Sequence, residues 1–326
     1  MYSNKSNNFF HGVVFHHFHD NLIHPKGQGT ISQKEFVDII NFIGRKNIID
    51  ANIFFEKFKN KELKENEVCL TFDDAVKSQI DIALPVLEQM KIKGFFFIYS
   101  SIFEGKPDNL ELFRCFRLNF FENVNDFYKD FYSHLDFDIE EFFEKNHQRI
   151  QTKKKNSPFY TIEDIKFREI RDNYLDKKKY ENIIFLMMRE KNFNQTEFEK
   201  KIFFNIDDLK KIDSLGHLIG LHSHNHPTLF EKLNYNEQKI EYEKCLLILS
   251  NILNKSKSDI KFMAHPCGNY NGDTLTILRK LGIELGFRNT MTIDNKMKLN
   301  KINSSPFEIA RENHSNILKI IKSTNK

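Results

Sequence analysis

Val68-Cys69-Leu70-Thr71-Phe72-Asp73-Asp74-Ala75-Val76 is the stretch whose reading decides the architecture. Val68-Cys69-Leu70 is an apolar run of β type, and Ala75 to Ile80 reads as the first turn of a helix. Two adjacent carboxylates therefore stand where a strand ends and a helix begins, the place where parallel α/β folds put their chemistry. Working downstream, Ser78 to Met90 shows apolar residues at 80, 84, 87 and 90, one face of a helix. Gly94 then opens Phe95-Phe96-Phe97-Ile98-Tyr99, a continuous apolar run suited to a strand covered on both faces. Strand, helix and strand make a βαβ unit.

The same rhythm extends outward in both directions. Upstream, Gly12-Val13-Val14-Phe15 reads as a first strand, entering His16-His17-Phe18-His19-Asp20. His24 to Thr30 is a loop by its Gly and Pro content, and Ser32 with Glu35 forms a capping box for a helix that ends at Gly44. Downstream, a short helix over 206–212 precedes the strand Leu218-Ile219-Gly220-Leu221, which leads into His222-Ser223-His224-Asn225-His226-Pro227. A helix over 236–253 follows. Ile260 to Ala264 is a strand leading into His265-Pro266-Cys267-Gly268-Asn269-Tyr270, and a helix over 273–281 comes next. Leu285-Gly286-Phe287 is a late strand, and residues 307–314 carry the last strand and the last histidine. Between these halves the text turns rich in Phe, Lys, Glu and Asn with helical spacing. This is a helical insertion of about a hundred residues, far longer than an ordinary loop, expected to form a lid or a partner surface. The division is 1–109, 110–205 and 206–326.

Bulk properties narrow the class. The chain has 326 residues and a formal charge of +4 from 49 basic and 45 acidic residues, too balanced to argue for nucleic acid. Most of the 34 phenylalanines are read as core filler. Cys69, Cys115, Cys245 and Cys267 form no C-x-x-C pair, which argues against a zinc ribbon or a thioredoxin motif. The opening Met1 to Asn8 is polar with no apolar run after it, and no 18-residue apolar segment occurs, so a cytoplasmic protein is expected.

The two motifs converge on one chemistry. Successive side chains alternate along a strand, so Asp73 and Asp74 cannot point the same way. One can bind a cation while the other stays free to take a proton. Pro227 disfavours helical geometry at His226, which favours a strand end turning into a loop. One carboxylate plus two imidazoles makes a three-ligand site with room for water, suited to Zn²⁺ or a similar divalent ion such as Co²⁺, Ni²⁺ or Mn²⁺. His224 is read as lying outside that ligand set.

Cys69 to Ala75 resembles the first motif of the polysaccharide deacetylases, the NodB-homology or carbohydrate esterase family four. Ser214 to Pro227, with H-[ST]-x-x-H-P and an upstream G-H-x-I-G, resembles their second motif, and Phe262 to Asn271 resembles the third. The resemblance implies a distorted (β/α) barrel of seven or eight strands, carrying here the large helical insertion. It implies metal-dependent removal of acetyl groups from N-acetylated sugars. Carried over by motif, Asp73 is the general base, and Asp74, His222 and His226 hold the metal. Many members carry an arginine in the third motif, where this chain has Ala264 and His265; Arg311 is expected to supply that charge. The family's fourth motif often contains tryptophan, and there is none here. The L-x-H that supplies the general acid has no clean match, and Glu312-Asn313-His314 is nearest. His314 is therefore the expected acid. His16, His19 and His265 also sit at strand ends and compete, with His16 and His265 assigned to substrate binding. The expected substrate is an N-acylated sugar in a nucleotide- or lipid-linked precursor of a surface polysaccharide or glycoconjugate. The alternatives are cleavage of another non-peptide C–N bond, such as a formamide or cyclic amide, or a degenerate barrel that binds sugar without turnover.

Overall fold

In a computed structural model of the chain, residues 11–20, 22–64, 66–156, 160–289 and 305–324 are described. The polar opening Met1 to Asn8, on which the cytoplasmic expectation rests, lies outside them. Seven strands form a closed, all-parallel barrel: Gly12–Phe15 (β1), Cys69–Asp73 (β4), Phe95–Ile98 (β5), Leu218–Leu221 (β6), Phe262–Ala264 (β7), Leu285–Asn289 (β8) and Ile309–Asn313 (β9). They neighbour one another in that order, and β9 pairs with β1 to close the ring. Phe18–His19 (β2) and Ile31–Ser32 (β3) form a separate two-stranded pair. The barrel with its helical insertion is the (β/α) architecture expected, with seven strands rather than eight.

Because side chains alternate along a strand, each strand divides its residues between the barrel interior and the helices outside. Cys69, Phe95, Phe97, Phe262, Ala264, Leu285, Phe287 and Ile309 pack together inside, joined by Phe54 and Phe55 of the helix Ala51–Asn60 (α2). Val13, Phe15, Leu70, Phe72, Phe96, Ile98, Ile219, Leu221 and Met263 face outward into a second cluster with the surrounding helices. That parity sends Thr71, Asp73, His222 and Arg311 inward. Gly12 is set opposite Arg311 in the β1–β9 register, and a Cβ there would lie 2.7 Å from the Arg311 Cγ. Only glycine leaves the guanidinium that room.

The helix Gln33–Ile43 (α1) begins at Ser32, which forms the expected capping box with Glu35. The helix expected to start at Ala75 starts later. Asp74 and Ala75 hold φ of 74° and 52°, left-handed values that no helical turn tolerates, and Val76 instead pairs with Phe203. The segment then opens with a π-helical turn over Gln79–Ala83 before the α-helix Leu84–Gln89 (α3). Pro85 has no N–H to give the Asp81 carbonyl and its ring crowds it, which favours a widened turn just there. The helix α2 carries no clear signal of its own in the sequence.

The chain divides into two compact units, one of residues 1–108 and 200–326 and one of residues 109–199. The described residues of the second form six whole helices, from Asn109–Phe120 to Lys177–Glu190, and the start of a seventh, Gln195–Ile202. Phe116, Phe127, Phe131 and Phe167 are buried in it, in the core role expected of phenylalanine, and the Tyr128 hydroxyl donates to Asp164. Residues 200–205, read from sequence with the insertion, group with the barrel, because Phe203 pairs with Val76 and the Phe204 N–H donates to the Ala75 carbonyl.

Candidate active site

Asp73 ends β4 inside the barrel, and Arg311 of β9 meets it with two parallel hydrogen bonds, Nη1 to Oδ1 and Nη2 to Oδ2, each 2.7 Å. Arg311 is wholly buried. Its Nη1 also donates to the Thr71 Oγ1 at 3.1 Å and its Nε to the Arg288 carbonyl at 3.2 Å. Burial pushes the Asp73 carboxyl up, but the charges of Arg311 and His222 and the hydrogen bonds from Arg311 outweigh it, leaving Asp73 below the usual carboxylate range. Asp73 is thus ionised and aimed.

Asp74 is turned the other way by its left-handed φ. Its Oδ1 lies 3.2 Å from the His222 Nε2 and 3.3 Å from the His226 Nε2. One ligand atom from each of the three residues lies within 4.8 Å of the others, and all three residues are buried. The His222 Nδ1 lies 2.9 Å from the Ala264 carbonyl and donates to it, which leaves Nε2 as a lone pair. Asp74 Oδ1 is buried and receives no hydrogen bond from the described residues. A carboxylate oxygen set against two imidazole nitrogens is a donor set that fits a first-row divalent cation.

The loop between the two ligand histidines is neither of the regular geometries that would align them. Ser223 and His226 hold φ of 65° and 53°, and the His226 N–H donates to the Ser223 Oγ at 3.1 Å. Such backbone persists only where its surroundings hold it. Glu241, on the helix Tyr235–Leu253, supplies the hold. Its Oε2 accepts from the N–H groups of His224 and Asn225 at 2.9 and 2.7 Å, and its Oε1 from the Asn225 side chain at 2.6 Å. His224 itself leaves the cluster, its Nδ1 lying 2.8 Å from the Ser100 Oγ. Nothing in the local pattern around Glu241 points to this task, because its partners are reached only through the fold. Glu241→Ala is expected to weaken divalent-ion binding by about 10- to 100-fold, the usual cost of losing an outer support of a ligand. Titration of the apo-protein with Zn²⁺ measures it, and unchanged affinity would remove Glu241 from that role.

His16 follows β1 on its inward parity. Its Nε2 lies 3.9 Å from Asp73 Oδ2 and 3.9 Å from Asp74 Oδ2, and the side chain is 24% exposed. The other expected histidines are elsewhere. His314, the expected acid, stands three residues after Arg311 and so takes the outward parity. Its ring stacks on Phe15, and Nδ1 and Nε2 lie 3.0 and 3.1 Å from the carbonyls of Val14 and Gly29. A neutral imidazole donates from only one nitrogen, and here both face backbone carbonyls, so neither is turned toward a substrate in the barrel. His265 is outward as well and fully buried, with Nε2 against the Phe307 carbonyl at 2.9 Å and its ring stacked on Tyr270. It cannot touch a sugar. His19 is spent on the Thr30 hydroxyl at 2.8 Å.

Burial pushes His314 down to about 4 and His265 down to about 3. Both are neutral in the fold near pH 7, while in the unfolded chain each takes up a proton near its ordinary 6.5. Between those limits the unfolded state binds more protons, so stability falls as pH falls. The expected loss from pH 7 to pH 4 is on the order of 3 kcal/mol per group. Denaturant midpoints across that range check it, and a flat profile would show these rings to be solvated.

The polysaccharide deacetylase family model matches residues 152–286. The match includes His222 and His226 and leaves out Asp73, Asp74 and Arg311. A comparison with curated proteins found no match. Among solved structures, the deacetylase PplD of Streptococcus pyogenes in complex with acetate is 14% identical with a TM-score of 0.55, over 95% of this chain and 96% of that one. IcaB from Ammonifex degensii is 14% identical with a TM-score of 0.55, over 96% of both chains. A de-N-acetylase from Aggregatibacter actinomycetemcomitans is 12% identical with a TM-score of 0.51, over 93% and 92%. At such identities the likeness is one of fold.

Proposed function

We propose that the chain is a member of the polysaccharide deacetylase family, whose model matches residues 152–286, and that it is a metal-dependent hydrolase that removes an N-acetyl group from a sugar. The observation that carries the reading is the division of labour between adjacent carboxylates. Asp74 joins His222 and His226 in a cation-ready cluster, while Asp73 is held apart by Arg311.

A divalent ion held by Asp74, His222 and His226 would supply Lewis acidity toward the acyl carbonyl and acidify water near neutral pH. Asp73 takes the proton of the attacking water at a carboxylate oxygen, and Arg311 keeps that carboxylate ionised and oriented until it does. The water oxygen bonds to the carbonyl carbon, the C–N bond breaks, and acetate and a sugar amine leave. The amine nitrogen needs a proton as it departs. His16 is the remaining imidazole with a nitrogen toward both carboxylates, and it takes the role first expected of His314.

The proposal extends to a nucleotide- or lipid-linked precursor as substrate and to a cytoplasmic site of action; Cys69 and Cys245, both buried and outside any disulfide, suit a reducing compartment. Activity recovered only from outside the cell would remove that placement. The central test is acetate release from a panel of nucleotide-linked, lipid-linked and polymeric N-acetyl sugars, run beside formamides and cyclic amides, with metal content by elemental analysis. Acetate from at least one sugar, lost on chelation, is the expected result. Product from the formamides or cyclic amides alone, or sugar binding without product, would replace the reading.

A further inference from the structure

We propose that Gln79 is a positioning residue for this reaction, setting the distance between the proton donor His16 and the base Asp73. The inference rests on the functional reading above. Gln79 opens the π-helical turn and is completely buried. Its single amide nitrogen donates to the His16 carbonyl at 2.8 Å and to the Asp73 carbonyl at 2.6 Å. Both neighbours are acceptors, so the carboxamide has one orientation, and its Oε1 is left buried with no hydrogen-bond partner among the described residues. A buried carbonyl without a donor is costly. What offsets that cost is the hold of its nitrogen on two backbone carbonyls, one beside each of the reacting side chains.

It joins the residue that takes a proton to the residue that gives one, on strands already bound by their ladder and by the Thr71 hydroxyl to the Val13 carbonyl. The rest of the π turn braces the same segment. The Ser78 Oγ accepts from the Phe18 N–H at 3.1 Å, and Asp81 Oδ2 lies 2.9 Å from the His24 Nε2. His16, Phe18 and His24 are thereby held by the widened turn and the serine that precedes it, and a widened turn recurs at functional sites. Without the amide, the His16 backbone loses its tie to Asp73, and the imidazole no longer stands where the departing nitrogen needs it.

The test compares an N-acetyl sugar with 4-nitrophenyl acetate, whose phenolate leaves without a proton from the enzyme. In Gln79→Met, kcat for the sugar amide is expected to fall at least about tenfold, since small misplacements of a catalytic group cost that much or more. KM, metal content and kcat for the ester are expected to stay within about twofold, below the scale at which positioning acts. In a His16→Ala background, Gln79→Met should cost nothing further. Should Gln79→Met not fold, Asp81→Ala, at a partly exposed position, is expected to lower the amide-to-ester ratio in the same direction. Amide and ester rates falling together, or an unchanged ratio in the variants, would overturn the inference alone. No acetate from any N-acetyl sugar with wild type would overturn the functional reading and this inference with it.

Discussion

Asp73→Asn is expected to keep the divalent ion and lose turnover by about a thousandfold, within the range general-base catalysis supplies. The substitution is nearly isosteric, and Asp73 is not among the three residues whose donor atoms converge. What it removes is the proton acceptor. His222→Ala contrasts with it, since it deletes both a ligand nitrogen and the hydrogen bond to Ala264 that orients the ring; both metal and activity should go. Elemental analysis and acetate release on the two variants separate the roles. Metal lost equally from Asp73→Asn would move that residue into the ligand set, and an unchanged rate would end its assignment as base. The assays must be run below each variant's melting temperature, because a neutral amide in place of the Asp73 carboxylate leaves the Arg311 charge buried without its partner.

The barrel strands were legible because each is a short apolar run bounded by turn residues, and Gly94 before Phe95 or Gly216 before Leu218 marks where the chain re-enters the sheet. The convergence of Asp74, His222 and His226 was legible because Asp73-Asp74 and His222 to His226 are compact in sequence and each ends such a run. The histidine proposed as proton donor was not, and the reason is register. His16, His265 and His314 all stand at strand ends, and position along the strand does not say which way a ring points. Parity does: Val13 and Phe15 face the outer helices, so His16 faces in, whereas His314 shares a face with Glu312 and not with Arg311. Reading that from sequence requires knowing that β9 lies beside β1, a closure between residues at opposite ends of the chain. Glu241 and Gln79 were invisible for a related reason. Each acts on backbone groups of a distant segment, and backbone leaves no side-chain pattern to match. The π turn was hidden too, because the apolar spacing of 80, 84 and 87 is also that of an ordinary helix.

Arg311→Met is expected to destabilise the fold by about 3–5 kcal/mol, the cost of leaving a buried carboxylate without its partner. The pair is fully desolvated on the arginine side and nearly so at Asp73, so little water can replace the guanidinium. Methionine fills much of the volume beside Gly12, Phe97 and Phe287, so the loss comes chiefly from the charge pair and from the hydrogen bonds to Thr71 and Arg288. The double variant Asp73→Asn/Arg311→Met should regain most of that stability, since a neutral amide beside an apolar chain leaves no buried charge. Urea midpoints for the two single variants and the double close the cycle. A catalytic signature accompanies the thermodynamic one. With Arg311 gone, burial acts on Asp73 with less opposition and its carboxyl rises, so the acid limb of the rate profile in Arg311→Met should move to higher pH. Additive losses in the double variant would mean that the two side chains stabilise the barrel independently. An unmoved acid limb would mean that Arg311 sets the fold of β9 and not the readiness of the base.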